Sequence, residues 1–225
     1  MAENTVLPQP VKPRLRGVLH EWGFFASLGV GLALAVEANG SRGRVSAIVF
    51  AASVSGMLGA SALYHRVTWS PSRRLWLRRL DHAMIYILIA GTYTPVALIV
   101  LSGSWRVTIL AFAWSGAAAA VLLKFVWVAA PKWLAAVFGI GLGWVGVVAF
   151  PQLIDRAGLG GALLLLAGGL LYTAGALVYA FRRPDPAPAT FGYHELFHAL
   201  VVGAVVCQYC AIAFYVLPLA DGPRG

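Results

Sequence analysis

The sequence predicts an all-α integral membrane protein built as a bundle of seven transmembrane helices. Composition is the first reason: 60% of the 225 residues are hydrophobic, 11% are charged, and the mean hydropathy is +0.79. One soluble core of this chain length does not hold so many apolar residues. The apolar residues also fall into seven long segments, with the cations gathered at their ends. The formal net charge of +9 therefore reflects membrane anchoring and topology, and we expect no nucleic-acid partner.

Each span needs about 20 mostly apolar residues to cross a bilayer. The segments that meet this requirement lie at residues 20–37, 45–66, 80–101, 105–125, 132–151, 160–181 and 194–218. Helix breakers such as Gly158 and Pro184 separate them. Residues 1–19 then form a polar tail, and residues 219–225 form a short C-terminal tail. We expect the first segment to be retained and not removed as a signal peptide, because no small-residue cleavage site precedes Glu37.

The distribution of lysine and arginine predicts the orientation of the bundle. Most of the 17 cations fall in the N-terminal tail and in the connections after the second, fourth and sixth spans. These cations are Lys12, Arg14, Arg16, Arg66, Arg73, Arg74, Arg78, Arg79, Lys124, Lys132, Arg182 and Arg183. Because cytoplasmic loops carry the excess of positive charge, we expect the N-terminus in the cytoplasm and the C-terminus outside. An odd number of spans agrees with that orientation.

Two histidines open the last span: His194 and His198 are the first and last residues of the motif HELFH. Side chains four residues apart share one face of a helix, so both imidazoles can bind one metal ion. His65 ends the second span and Asp81 begins the third, which the predicted topology places at the same cytoplasmic depth. Polar groups there are costly unless they are paired or bound. The spacing therefore predicts a metal site, and histidines that are merely hydrogen-bonded at the interface are the alternative.

Three neutral imidazoles and one open position form the common ligand set of catalytic zinc, whereas structural zinc more often has four protein ligands. Bound zinc lowers the pKa of its water to about 7, and Asp81 is placed to orient that water or to accept its proton. Ser61 lies one helical turn before His65 and faces the same way, so its hydroxyl can assist an oxyanion. The alternative for Ser61 is a small residue that allows close helix packing.

Other polar residues near these positions are weaker candidates. His82 adjoins Asp81 but points about 100° away on a helix, so we expect it at the membrane interface. Glu195 is rotated similarly from its flanking histidines, and we expect it to be an acid at headgroup level, with a partner that supports a metal ligand from behind as the alternative. His20 and Glu21 begin the first span, where Glu21 is a candidate to hydrogen-bond a metal ligand from behind.

Three motifs in order resemble the haemolysin III branch of the progestin and adipoQ receptor family. They are SALYH at 61–65, LDHAMIY at 80–86 continuing into AGTYTP at 90–95, and HELFH at 194–198. Together they span residues 61–198, and the seven-span layout extends the likeness to nearly the whole chain. Three motifs at matching topological positions are far more specific than any one of them.

This resemblance implies a seven-helix membrane fold with a zinc site on the intracellular side. It implies that His65, His194 and His198 are the metal ligands, that Asp81 holds the zinc-bound water, and that Ser61 is the family serine. Relatives in the wider superfamily hydrolyse ceramides, so the implied chemistry is hydrolysis of a lipid amide such as a ceramide. The short loops and compact size are typical of bacterial members, which indicates a multi-pass protein of the bacterial inner membrane.

The leading hypothesis for function is a zinc-dependent hydrolase that takes lipid amides or esters from the surrounding membrane lipids. The alternative is a non-enzymatic protein of membrane homeostasis, or a membrane-perturbing haemolysin, in which zinc is structural. A transporter is a weaker third hypothesis, because the polar groups cluster at one end and do not mark a path through the bilayer. The sequence is compatible with a homo-oligomer and does not determine the oligomeric state.

Overall fold

A computed structural model describes residues 12–127 and 129–221 of the chain. The outer parts of both predicted tails, residues 1–11 and 222–225, lie outside this description. Apart from one isolated β-bridge, the described residues form helices and the loops between them. The α-helices are α1 Val18–Glu37, α2 Gly40–Arg66, α3 Pro71–Pro95, α4 Gly103–Val126, α5 Lys132–Trp144, α6 Phe150–Phe181 and α7 Tyr193–Ala211. The predicted all-α class is confirmed for this part of the chain.

Six helical segments are long and apolar enough to cross a membrane. Five of them correspond to α1, α2, α3, α4 and α7 with their short extensions, and the remaining segment, Lys132–Phe181, combines α5 and α6 over 50 residues. Large apolar side chains on these helices face outward; Leu32 is 67% exposed and Val126 is 86% exposed. Such side chains are unfavourable in water and favourable in hydrocarbon. The multi-pass membrane class predicted from composition agrees with this surface.

The long segment Lys132–Phe181 is not one straight helix. A single 3-10 helical turn, Val145–Ala149, follows α5, and Gly158 inside α6 has φ 74° and ψ 166°. Glycine adopts this left-handed φ readily because it has no Cβ atom. The kink at Gly158 changes the direction of α6, which allows α6 to pack against α5. Gly158 thus breaks the helix at the position predicted between the fifth and sixth spans.

Helix α3 begins at Pro71, well before the predicted start of the third span at residue 80. Proline is tolerated in a first helical turn, because its missing N–H would have no intrahelical partner there. The arginine-rich turns that follow are polar but still helical, and hydropathy marks only the apolar part of such a helix. At the other end, Pro95 is followed by a π-helical turn, Val96–Val100. Proline has no backbone N–H to donate, so the regular hydrogen-bond pattern of the α-helix is interrupted at Pro95.

The helices pack in chain order, and the first helix meets the last. α1 packs on α2, α2 on α3, α3 on α4 and α6 on α7, and α7 also contacts α1. Small side chains allow these close approaches, and Ala47, Ala90 and Ala204 are fully buried. Because α1 lies between α2 and α7, polar residues at one end of these helices can converge.

Helix α6 offers a matched test of this packing. A Cβ atom added at Gly161 would lie 2.8 Å from Cβ of Tyr215, whereas one added at Gly169 would meet no atom within 4 Å. We expect Gly161→Ala to lower the free energy of unfolding by about 1–3 kcal/mol through overpacking. Gly169→Ala should be neutral or stabilising, because alanine favours the helix. Thermal unfolding in detergent measures both, and equal melting temperatures for the two variants would contradict this packing.

Candidate metal centre

Polar side chains from three helices meet at one end of the bundle. His65 lies in the last turn of α2, Asp81 lies in α3, and His194 and His198 lie one turn apart at the start of α7. All four are buried, with exposed fractions of 7%, 9%, 8% and 2% in that order. Their meeting follows from the packing, since α2 contacts α3 and α1 joins α2 to α7. The predicted convergence of these four residues at one depth is observed.

The three histidines form a group that could hold a metal ion. One nitrogen from each of His65, His194 and His198 lies within 4.8 Å of the other two. The Nε2 atoms of His65 and His194 are 3.1 Å apart. Two nitrogens bound at about 2.0–2.1 Å to a tetrahedral zinc ion lie about 3.3 Å apart, so the observed separation fits shared coordination. Three converging imidazoles also match the preference of zinc for nitrogen ligands.

Asp81 and Ser61 lie beside the histidines. Oδ2 of Asp81 is 3.8 Å from Nε2 of His65, which is too long for a direct hydrogen bond and suited to a bridging water. Ser61 is buried, with 2% of its surface exposed, and lies in α2 one turn before His65. Both residues line an internal cavity together with His194 and His198. The structure thus brings together all five residues that the sequence pattern indicated.

Glu195 holds the start of α7 in place. Its Oε2 accepts a hydrogen bond from the Gly192 backbone N–H at 2.9 Å, and its Oε1 pairs with the Arg16 guanidinium. The backbone N–H of Arg14 also donates to the carbonyl of Ala189 at 3.1 Å, so the segment before α1 is tied to the loop before α7. Glu195 is 1% exposed. The expectation of an acid at headgroup level was wrong, because Glu195 is buried and paired with Arg16. The sequence did not indicate this pair, because Arg16 lies in a distant part of the chain.

His20 is a fourth imidazole at the site, and the sequence pattern did not identify it. Its ring stacks on the His198 ring, with centroids 3.8 Å apart and 8° between the planes. His20 is 2% exposed, and neither ring nitrogen has a hydrogen-bond partner in the described part of the chain. Glu21, the neighbour considered as support for a ligand, instead pairs with Arg66 at 2.7 Å in a more exposed position. No spacing signal links residues from the first and last helices.

His82 also differs from its expected location at the membrane interface. Its Nε2 lies 3.2 Å from the Tyr179 hydroxyl, and the side chain lines the internal cavity. His82 was predicted to point about 100° away from Asp81, as adjacent residues on a helix do. This side of α3 faces Tyr179 of α6 and the cavity, so His82 contacts both. Sequence alone did not indicate which neighbour α3 faces.

The internal cavity has a volume of about 230 Å³. Apolar side chains such as Leu88, Ile109, Leu153 and Phe197 form much of its wall. The groups able to bind a metal or move a proton lie at the end of the bundle where α2, α3 and α7 meet. An apolar space with a few converging polar groups is typical of a ligand site.

A second cavity, of about 170 Å³, is lined by His65 and by the cationic side chains of Lys12, Arg16 and Arg74. Burial, reinforced by the nearby guanidinium groups, lowers the pKa of the Lys12 ammonium from its usual value. The histidine group therefore contacts a polar, cationic space as well as the apolar cavity. This second space offers water a route to the site that avoids the apolar cavity.

Metal content gives a direct test of the histidine group. We expect His198→Ala to lose the bound metal, because two imidazoles alone leave most of the coordination shell to water. The affinity loss should exceed the 10–100-fold typical of removing an outer partner of a ligand. Elemental analysis of protein purified in detergent without chelator measures this, with His82→Ala as the control that keeps its metal. Unchanged metal content in His198→Ala would exclude His198 as a ligand.

Known proteins resemble this chain over nearly its whole length. The family model described as Haemolysin-III related matches residues 9–209, which include all five residues of the site. Hemolysin-3 of Bacillus cereus is 32% identical over 222 residues, covering 96% of this chain and 98% of that protein. A hemolysin-3 homolog of Bacillus subtilis (strain 168) is 30% identical over 171 residues, covering 76% of this chain and 77% of that protein. The chain therefore belongs to the haemolysin III-related family of membrane proteins.

Proposed function

We propose that this protein is a zinc-dependent hydrolase of lipid amides or esters. The observation that carries the proposal is the position of three buried histidines, with Asp81 and Ser61 beside them, at an apolar cavity. A binding site for a lipid needs the apolar space, and hydrolysis of a carbonyl needs the polar groups. Both are supplied by the same few helices. A ceramide is one lipid amide that meets these requirements.

Zinc is the metal that the ligand set favours. Three imidazoles without a fourth protein ligand are typical of catalytic zinc, whereas structural sites usually contain thiolates. The nearest cysteine in sequence, Cys207, lies about two and a half helical turns beyond His198 on α7. It is free and only partly buried, and it is not a member of the histidine group. The donor set therefore leaves a coordination position for a substrate or water.

Each residue of the site has a role in the proposed reaction. When bound, zinc supplies Lewis-acid chemistry that polarises a carbonyl and makes water more acidic. The histidines orient that ion, and the stacked ring of His20 restrains His198. Asp81 holds the attacking water and accepts its proton at a carboxylate oxygen. The Ser61 hydroxyl donates a hydrogen bond to the carbonyl oxygen as negative charge develops there.

The proposed reaction is tested by fatty-acid release. We expect the metal-loaded protein in detergent to release fatty acid from at least one member of a panel of ceramides, other acyl amides and phospholipid esters. Asp81→Asn should lower kcat by about 10²–10⁴-fold, and Ser61→Ala by about 10²–10³-fold. Both variants should keep their metal, since neither residue is proposed as a ligand.

Matched controls are available for both substitutions. Ser46 is buried on the same helix as Ser61 and makes no hydrogen bond in the described part of the chain, so Ser46→Ala should leave turnover unchanged. Asp155→Asn removes an exposed acid from α6 and should also be neutral. Stoichiometric zinc with no turnover on the whole panel would overturn the hydrolase and leave a structural zinc.

The names of the relatives favour a second candidate, a membrane-perturbing or membrane-homeostasis protein without catalysis. Both curated relatives are named as hemolysin-3 or its homolog. In that case the metal would hold α2 and α7 together and take no part in a reaction. A His198→Ala variant that loses its metal but still lyses erythrocyte membranes would favour this candidate over catalysis.

We also propose seven membrane crossings, with the N-terminus and the metal site on the cytoplasmic side of a bacterial inner membrane. The 50-residue segment Lys132–Phe181 would be about 75 Å long as one straight helix, more than twice the hydrocarbon thickness of about 30 Å. Two crossings with the break at Gly158 fit that length. Most cations lie in the N-terminal tail and at the same end of the bundle, which supports this orientation.

Reporter fusions test the proposed orientation. We expect alkaline phosphatase fused after residue 221 to be active, because the enzyme folds only outside the cytoplasm. The same reporter fused in the loop between α2 and α3 should be inactive. An active fusion in that loop, or an inactive one at the C-terminus, would contradict the proposed seven crossings or their direction.

A further inference from the structure

Lys124 is a lysine buried inside a membrane-spanning helix. It lies in the last turn of α4 and is 4% exposed. Its side chain lines the same cavity as Asp81, His82 and the two histidines of α7. A charged side chain in the apolar part of a bundle is costly, and it usually marks a binding or transport role. Membrane topology accounts for a cation at this end of α4, but neither topology nor the proposed hydrolysis accounts for its lining of the cavity.

The two lysines nearest this end of the bundle differ in their partners. Lys132 donates a hydrogen bond to the Tyr193 hydroxyl at 2.9 Å and lies over the Tyr179 ring, 4.3 Å from its centroid. None of the three ion pairs among the described residues includes Lys124. Its ammonium group has three donors and no acceptor. Water can satisfy the donors, but only an anion also neutralises the charge.

Asp81 does not supply that anion. It is the carboxylate that lines the cavity, and its Oδ2 lies 3.8 Å from Nε2 of His65. Counted from the connection at residues 101–102, Asp81 and Lys124 both lie about 30 Å along their antiparallel helices. The contact between Trp76 and Phe125, with ring centroids 5.5 Å apart, keeps α3 and α4 together at this end. Lys124 therefore lies at the depth of the metal centre, on a different part of the cavity wall.

We propose that Lys124 binds an anionic group carried by the acyl lipid that occupies the cavity. The ligand class is an acyl lipid whose acid, a carboxylate or a phosphate, lies within a few bonds of its carbonyl. Its chain fills the apolar space, its carbonyl reaches the histidines and Asp81, and its acid meets the Lys124 ammonium. This inference rests on the proposed lipid hydrolysis and narrows its substrate from neutral lipids to acidic ones.

Two pairs of ether lipids isolate the effect of charge from turnover. Hexadecyloxyacetic acid and 2-hexadecyloxyethanol share one chain and differ by a carboxylate. 1-O-Hexadecylglycerol 3-phosphate and 1-O-hexadecylglycerol differ by a phosphate. None has a carbonyl to hydrolyse, so equilibrium binding to the metal-loaded protein in neutral detergent can be measured. The pair that shows selectivity identifies the acid as carboxylate or phosphate.

We expect the wild-type protein to bind the acid at least about tenfold more tightly than the matched alcohol in one pair. A hydrogen bond to a charged group contributes about this factor to the affinity. Lys124→Met should reduce that ratio to about one, and Lys124→Arg should preserve it. Arg73→Met removes an exposed cation outside the cavity and should leave the ratio unchanged. Lys124→Gln provides a second neutral variant if the methionine variant does not fold.

Two results would overturn the proposal: equal binding of acid and alcohol in both pairs by the wild-type protein, or selectivity that survives in the neutral Lys124 variants. The second result would place the anion on the metal instead of on Lys124. Failure of the hydrolase proposal has a different signature, which is metal-loaded protein without fatty-acid release. Charge selectivity in binding can persist in that case, because it does not depend on turnover.

Discussion

The rest of the site depends on the burial of three imidazole nitrogens that face one another inside an apolar bundle. An unpaired polar group costs several times more in such surroundings than at a surface. A single cation shared by His65, His194 and His198 removes that cost for all three. The end of α2 and the start of α7 lie at the same end of the bundle, which brings the histidines of the two helices together.

The start of α7 is therefore under tight control. His194 is the second residue of that helix, so a shift of the helix by one residue would rotate both of its histidines by about 100°. The bond from Gly192 to Glu195 fixes the first turn, and the Arg16 guanidinium holds Glu195 from the segment before α1. The N-terminal segment thus supports the start of α7. The positions of His194 and His198 therefore depend on the contact between this segment and α7.

Patterns that repeat along one helix were readable from the sequence, and contacts between distant helices were not. The apolar segments and the spacing of His194 and His198 predicted the helices and the histidine group. Glu195 and His82 were misplaced, because their surroundings depend on Arg16 from the N-terminal segment and on Tyr179 from α6. The stacking of His20 on a ligand has the same origin. Charge patterning predicted the orientation of the bundle from the cytoplasmic excess of cations, and that orientation stays a prediction.

In the proposed complex, the histidine group and Lys124 together would set a geometric condition on the lipid. A neutral lipid that fills the apolar space leaves the Lys124 ammonium without a counter-ion, and that desolvation cost opposes binding. An acidic lipid recovers the cost only if its acid and its carbonyl are close together, since both positions lie at nearly the same depth. Sites built around a buried polar partner reject analogues that lack it more strongly than apolar pockets reject analogues of the wrong size. Selection by charge at Lys124 therefore needs no change in the apolar wall.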